Sequence, residues 1–212
     1  MRVVFLFALA VAPIGCGAKS DPTPNPAIAL PDSNPHAIVV PKPPAGELVE
    51  HHSYKLWATF PKGTTVTQRT ITDSKKSAGH TETTIVYALK DKGDDFVVVE
   101  SQATTKYADG RTEKNPPSDT RTPRFIALPP GIKREDWGKP TEKGARGEET
   151  LKVLAREFKC EWTESKGTTD AGAFVQRVWT SAAMPGGLVK SVTEIKAVEE
   201  TTTIEVTALT IP

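Results

Sequence analysis

From Tyr54 to the carboxyl end the chain alternates with a period of two and is rich in threonine and valine, a pattern that points to antiparallel strands. Thr83, Ile85, Tyr87 and Leu89 fall on one side of an extended segment, and Thr84, Val86, Ala88 and Lys90 fall on the other. β-Branched side chains suit such a pleated surface. Asp91-Lys92-Gly93-Asp94 marks a tight turn, and the run Phe96 to Tyr107 follows with Val97, Val98 and Val99 near its start, so the two runs read as a hairpin. Ala108-Asp109-Gly110-Arg111 supplies a second turn, with a glycine available for positive φ.

The same reading extends in both directions. Trp57 to Thr64 is expected to be two apolar anchors and a turn, followed by a first long strand over Thr64 to Thr72. Leu151 to Leu154 and Phe158 to Trp162 read as short strands joined at Ala155-Arg156-Glu157, with Phe158, Cys160 and Trp162 sharing one face. Phe174 to Thr180, Leu188 to Val198 and Thr201 to Thr210 complete the set. Six prolines interrupt Asn115 to Pro140, so its apolar island Phe125 to Leu128 is expected to lie over one face or edge of the sheet. Helix is scarce: one turn at Asp136 and Trp137 is ended by Gly138 and Pro140. The expected fold is mainly β, about seven to nine strands in one large curved antiparallel sheet or open half-barrel.

The amino-terminal part has a different character. Arg2 precedes an unbroken apolar run from Val3 to Ala12, the layout of a secretory signal. The run is too short to cross a bilayer, which needs about 20 apolar residues. Pro13-Ile14-Gly15-Cys16 resembles the lipobox of bacterial lipoproteins, whose cysteine thiol forms a thioether to diacylglycerol; Pro13 stands where that motif carries an aliphatic residue. Ala8-Leu9-Ala10 is a competing site for ordinary cleavage, which would release a soluble protein with Cys16 as a free thiol. Eight prolines between residues 22 and 44 then exclude helix interior and sheet ladder and suit a semi-rigid tether. The organisation expected is a signal over 1–15, a lipidated cysteine and proline-rich linker over 16–47, and one β-rich domain over 48–212. Such a protein is exported and held at the cell envelope by an acyl anchor, palmitate being one such chain, facing the periplasm or the cell surface.

Charge excludes one class of partner. The chain carries 27 basic and 26 acidic residues, and loss of Arg2 with the signal balances them. No basic block appears, so nucleic acid is not an expected partner. Cys160 is the one cysteine outside the signal region, and without a histidine beside it the expected state is a buried, inert thiol. His36, His51, His52 and His80 lie upstream in expected linker or loop, and adjacent His51 and His52 on extended chain point apart, a poor shared metal site. Asp91, Asp94 and Asp95 lack the spacing of a calcium loop. No cofactor is expected. Trp57, Trp137, Trp162 and Trp179 read either as core anchors or as the lining of a concave apolar site. The candidate ligand surface is Trp57, Phe125, Leu128 and Trp137. The expected role is a tethered, non-catalytic binding or interaction module, with a lipid or an envelope protein as ligand. A structural envelope protein and a secreted hydrolase are the alternatives.

Two motifs carry a resemblance over most of residues 54 to 212. They are Trp57-x-x-Phe60-x-x-Gly63-Thr64-x-Val66 and Val178-Trp179-Thr180-Ser181-x-x-Met184-Pro185-Gly186-Gly187-Leu188-Val189-Lys190, with Gly147-Glu148-Glu149-Thr150-Leu151 leading to Cys160 between them. Together they resemble a group of bacterial secreted proteins and lipoproteins to which no activity is assigned, which implies a shared domain and no reaction. The second motif is also similar to the closing hairpin of periplasmic lipoprotein-carrier half-barrels. That likeness implies a sheet curved around acyl chains or a lipoprotein amino terminus, by analogy of fold.

Overall fold

The computed structural model describes residues 47–75, 79–138 and 144–212. The expected signal over 1–15, Cys16 and the expected linker up to residue 46 lie outside the described residues. The chain enters as β1 (Leu48–Glu50) and forms α1 (His52–Ala58), the one α-helix among the described residues. His51 is extended at φ −68°, and its Nδ1 accepts a hydrogen bond from the Ser53 N–H at 3.1 Å, which caps the helix. At the far end Lys92 Nζ donates to the Ala58 carbonyl at 2.9 Å and to the Phe60 carbonyl at 2.7 Å. Tyr54 and Trp57, three residues apart, share the buried face. The helix was not read from the sequence, and it moves His51 and His52 from expected linker or loop to a helix start, while the expected anchors Trp57 and Phe60 and the turn before Thr64 stand.

The strands that follow build two meanders. The first is β2 (Thr65–Ser74), β3 (Gly79–Lys92), β4 (Phe96–Lys106), β5 (Thr112–Lys114) and β6 (Ser118–Pro123). After β7 (Phe125–Ala127) and a 3₁₀ turn at Arg134–Asp136 comes the second: β8 (Arg146–Val153), β9 (Arg156–Thr169), β10 (Gly172–Thr180), β11 (Leu188–Ile195) and β12 (Glu200–Thr210). β12 pairs antiparallel with β2, which joins the meanders into one ten-stranded antiparallel sheet: nine strands in the order β5-β4-β3-β2-β12-β11-β10-β9-β8, and β6 as the tenth, paired with β4. The sheet does not close: among the described residues β8 pairs with β9 alone. β5 and β6 lie end to end along β4, because Pro116 and Pro117 have no N–H to continue one ladder. β7 pairs with β1 in a separate two-stranded sheet, which sets the Phe125 island beside the β6 edge, where the Arg124 N–H donates to the Asp95 carbonyl at 2.7 Å.

Two boundaries differ from the sequence reading. The β8–β9 turn falls on Leu154 and Ala155, at φ 54° and 59°, and not on Ala155 to Glu157. Both residues occupy the left-handed region that a two-residue hairpin loop needs, and neither advertises it. β11 stops at Ile195, because Glu199 adopts φ 49° after a 3₁₀ turn at Lys196–Val198.

Burial is concentrated at one end of the strands. Val66 opens β2, Leu89 lies late in β3, Val97 early in β4, Val189 early in β11 and Trp179 late in β10, and antiparallel pairing gathers these positions together. Leu89, Val97, Val189 and Met184 are 0% exposed. Tyr54, Trp57 and Phe60 join the same cluster from α1 and its exit, and Phe158, Cys160 and Val206 complete it. The register shifts at Leu89/Asp91, Trp179/Thr180 and Val206/Ala208 all fall at this end. Bulges bend strands and raise their twist, so the sheet curls where its apolar residues are.

Candidate functional site

The four nominated surface residues divide into two places. Trp57 is 7% exposed in the core. Gly186, at φ +74°, comes so near its indole that a Cβ there would lie 3.2 Å from Trp57 Nε1. Phe125, Leu128 and Trp137 sit together around the β1–β7 pair. Phe125 is 49% exposed and Leu48 38% exposed. The Leu128 N–H donates to the Glu47 carbonyl at 2.8 Å, and Trp137 Nε1 donates to the Glu50 carbonyl at 2.8 Å. Arg124 pairs with Glu50 at 3.0 Å, and its guanidinium lies 5.1 Å from the Phe125 ring centre. This is an apolar patch with a paired charge at its rim, and it borders Glu47, the first described residue.

A second cluster was not nominated as a site by the sequence. Pairing sets Trp162 opposite Trp179, Trp179 opposite Lys190, Lys190 opposite Glu205 and Glu205 opposite Arg69, so one row crosses five strands on one face. The Arg177 guanidinium lies 4.5 Å from the Trp162 ring centre and 5.8 Å from that of Trp179. Lys190 Nζ lies 5.5 Å from the Trp179 ring centre. Trp179 Nε1 donates to Glu149 at 2.8 Å, Arg177 pairs with Glu164 at 2.7 Å, and Arg69 pairs with Glu205. The hydrogen bond from Arg177 holds the Glu164 carboxyl below the usual range. Gly147 is explained here, since a Cβ would fall 2.8 Å from Trp162 Nε1 and the indole lies across β8 at that point. With Arg177 and Arg69 each paired to a glutamate and Lys190 set against the Trp179 ring, the row ties the second meander to β2. Contacts of a cation with an exposed aromatic face contribute about 0.5–1 kcal/mol each. The alternation that puts Trp162 and Cys160 on one face was legible in the sequence; the strand pairing that brings Arg177 over it was not.

Cys160 is 2% exposed, and burial pushes its thiol up, opposed by a hydrogen bond from the Leu151 backbone and reinforced by the charge of Glu149. A thiol raised in this way is a poor nucleophile. His51 and His52 are both held below the usual histidine range, first by burial and then by a neighbouring charge, that of His52 on His51 and that of Lys55 on His52. His80 pairs with Asp73 at 2.8 Å on the exposed ends of β2 and β3. Among the described residues no group of histidine, cysteine and carboxylate side chains converges as a metal site would require. No described helix is long and apolar enough to cross a membrane.

No protein-family model matches the chain, and no curated protein matches it. Among solved structures, the chain is similar to a Bacteroides fragilis protein described as exported with a YmcC-like fold: 13% identity, 71% of this chain and 97% of that one covered, TM-score 0.41. It is similar to a Parabacteroides distasonis chain described as a lipoprotein, at 14% identity, with 71% and 97% covered and a TM-score of 0.41. It is also similar to a Vibrio parahaemolyticus chain described as an outer-membrane lipoprotein-sorting domain, at 10% identity, with 71% and 85% covered and a TM-score of 0.23.

Proposed function

We propose that this chain is an exported cell-envelope lipoprotein, anchored through Cys16, whose β-rich domain is a non-catalytic interaction module. The anchor reading rests on the Gly15-Cys16 junction behind a short apolar run and ahead of a proline-rich tether. One observation carries the choice of an outward-facing module over a carrier that encloses its ligand. Tyr54, Trp57 and Phe60 fill the space over the apolar end of the sheet, where a carrier would hold acyl chains. Phe125 and Leu48, with the partly exposed Leu128 and Trp137, form an outward apolar patch at the start of the domain, and it suits a lipid surface or an envelope protein as its partner. A hydrolase needs an activated nucleophile, and the buried, raised Cys160 thiol does not offer one.

Intact-mass analysis of the purified envelope protein tests the anchor. The expected species begins at Cys16 and carries a diacylglycerol thioether with acyl chains. An unmodified chain beginning at Val11 would overturn it in favour of cleavage after Ala10. The patch is tested separately by Phe125→Ser, which should reduce recovery of a co-purifying lipid or protein at unchanged thermal midpoint. Unchanged recovery would move the interaction elsewhere.

A further inference from the structure

The two edges of the large sheet differ in whether they can accept another strand. Along the β5–β6 edge, Pro116, Pro117 and Pro123 each lack the N–H that an added strand would use. The opposite edge is β8, eight residues without a proline, and no described strand pairs with its outer side. Its odd residues turn toward the core face: Glu149 reaches Trp179, while Leu151 and Val153 pack against the buried cluster. Its even residues Glu148, Thr150 and Lys152 are all exposed. Neither Glu148 nor Lys152 has an ion-pair partner among the described residues.

This order of side chains is complementary to itself. Two antiparallel copies of β8 centred on Thr150 set Thr150 opposite Thr150 and Glu148 opposite Lys152, twice by symmetry. Centring on Glu149 opposes Arg146 to Lys152. Centring on Glu148 opposes glutamate to glutamate, and centring on Lys152 opposes lysine to lysine. Centring on Gly147 opposes Arg146 to Glu148 but overlaps only residues 146–148 of the strand, against 147–153 for Thr150, and centring on Leu151 opposes no unlike charges. Like charges directly opposite are destabilising, and opposite charges are favourable. Registers that pair even with odd residues would set the solvent face of one copy against the core face of the other. We propose that β8 pairs antiparallel with β8 of a second copy of this chain, about a two-fold axis at Thr150. Because the other edge is blocked by proline, the assembly closes as a dimer and does not grow into a fibre. The pairing depends on the β8 edge alone and not on the lipid at Cys16.

The register makes the test specific. In the full chain carrying Cys16→Ser, the remaining cysteine is the buried Cys160, so a thiol introduced on β8 is the accessible one. Opposed residues on antiparallel strands have Cα atoms about 4.5–5.5 Å apart, within the roughly 4.4–6.8 Å that a disulfide spans. Under mild oxidation Thr150→Cys should give a covalent dimer on a non-reducing gel. Glu148→Cys and Lys152→Cys should link to each other when mixed, and poorly to themselves. Adding Glu148→Lys to Thr150→Cys should lower the dimer yield about tenfold, and adding Lys152→Glu as well should restore it. Circular dichroism of each variant should show the parent's thermal midpoint, since these side chains are exposed. A folded Thr150→Cys chain that stays monomeric, links mainly to other proteins, or ignores the charge exchange would overturn the proposal.

Discussion

The long strands of the sheet run through two unlike regions. At one end, Val66, Leu89, Val97, Val189 and Val206 are buried beneath α1 and the Ser181–Gly187 loop. At the other, the same strands carry Thr72 paired with Thr202 and Thr83 paired with Thr105, each through hydroxyls 3.0 Å apart, and Gln176 bonded to Thr193 at 3.1 Å. Backbone pairing is continuous through both, so hydrogen bonds alone do not distinguish them. Burial does. A buried aliphatic side chain contributes about 1.5–3 kcal/mol, against roughly 0.2–1 kcal/mol for a cross-strand pair on an open face. The capped end therefore supplies most of the stability, and the threonine end is held as an extension of it. Local opening should follow this gradient.

The sharpest way to break this picture is Trp179→Ala. Its indole is 8% exposed and bonds Glu149, so removal should cost about 3–5 kcal/mol. Chemical denaturation should show the loss or an unfolded chain. A variant that keeps its midpoint would mean that the capped end is not what holds the domain. Gly186→Val comes next, since φ +74° suits glycine and the new Cβ would press on Trp57 at 3.2 Å. Strain of this kind costs about 1–3 kcal/mol, and the thermal midpoint should fall accordingly. Thr72→Ala at the other end should cost less than about 1 kcal/mol. Hydrogen exchange gives the complementary measurement: amides of Thr201 to Thr203 should exchange before those around Val66 and Leu89. Equal protection would erase the gradient.

The smallest effect concerns the helix that caps the apolar end. His51 Nδ1 accepts from the Ser53 N–H, and burial holds this imidazole below its ordinary pKa. Only the neutral ring can accept that bond. A depressed folded pKa means that the stabilisation is present above the unfolded value, about 6.5. It is lost as pH falls through the folded one. Acidification from neutral should therefore lower stability slightly in the wild type. His51→Asn retains a good helix cap without titrating, so its acid-side slope should be shallower. Identical slopes would show that His51 does not contribute.

Much of the mainly β architecture was legible from alternation, because a half-buried strand writes its two faces into the sequence. The hairpin from Thr83 to Tyr107 and the shared face of Phe158, Cys160 and Trp162 appear as read. α1 was missed: at seven residues it is too short to show a helical period, and its cap is a histidine. The spacing of Tyr54 and Trp57, with His51 ahead, was the available signal. The Leu154–Ala155 turn was displaced because strand pairing on both sides imposes positive φ on residues that do not favour it. Of the nominated surface, Phe125, Leu128 and Trp137 gather in one place, whereas Trp57 is in the core.

Alternation and turn chemistry by themselves determined that this protein is built of antiparallel hairpins, because period and punctuation are local properties of the chain. Tertiary structure alone decided that β12 pairs with β2, which sets Leu209 opposite Val66.

 The pairing of β12 with β2 joins segments far apart in sequence, and nothing in either strand names the other. It forms because two meanders, each with an apolar end, bury those ends together beneath one helix. The same closure left β8 at an open edge and laid Arg177 over Trp162, because long-range pairing, and not local pattern, sets which side chains become neighbours.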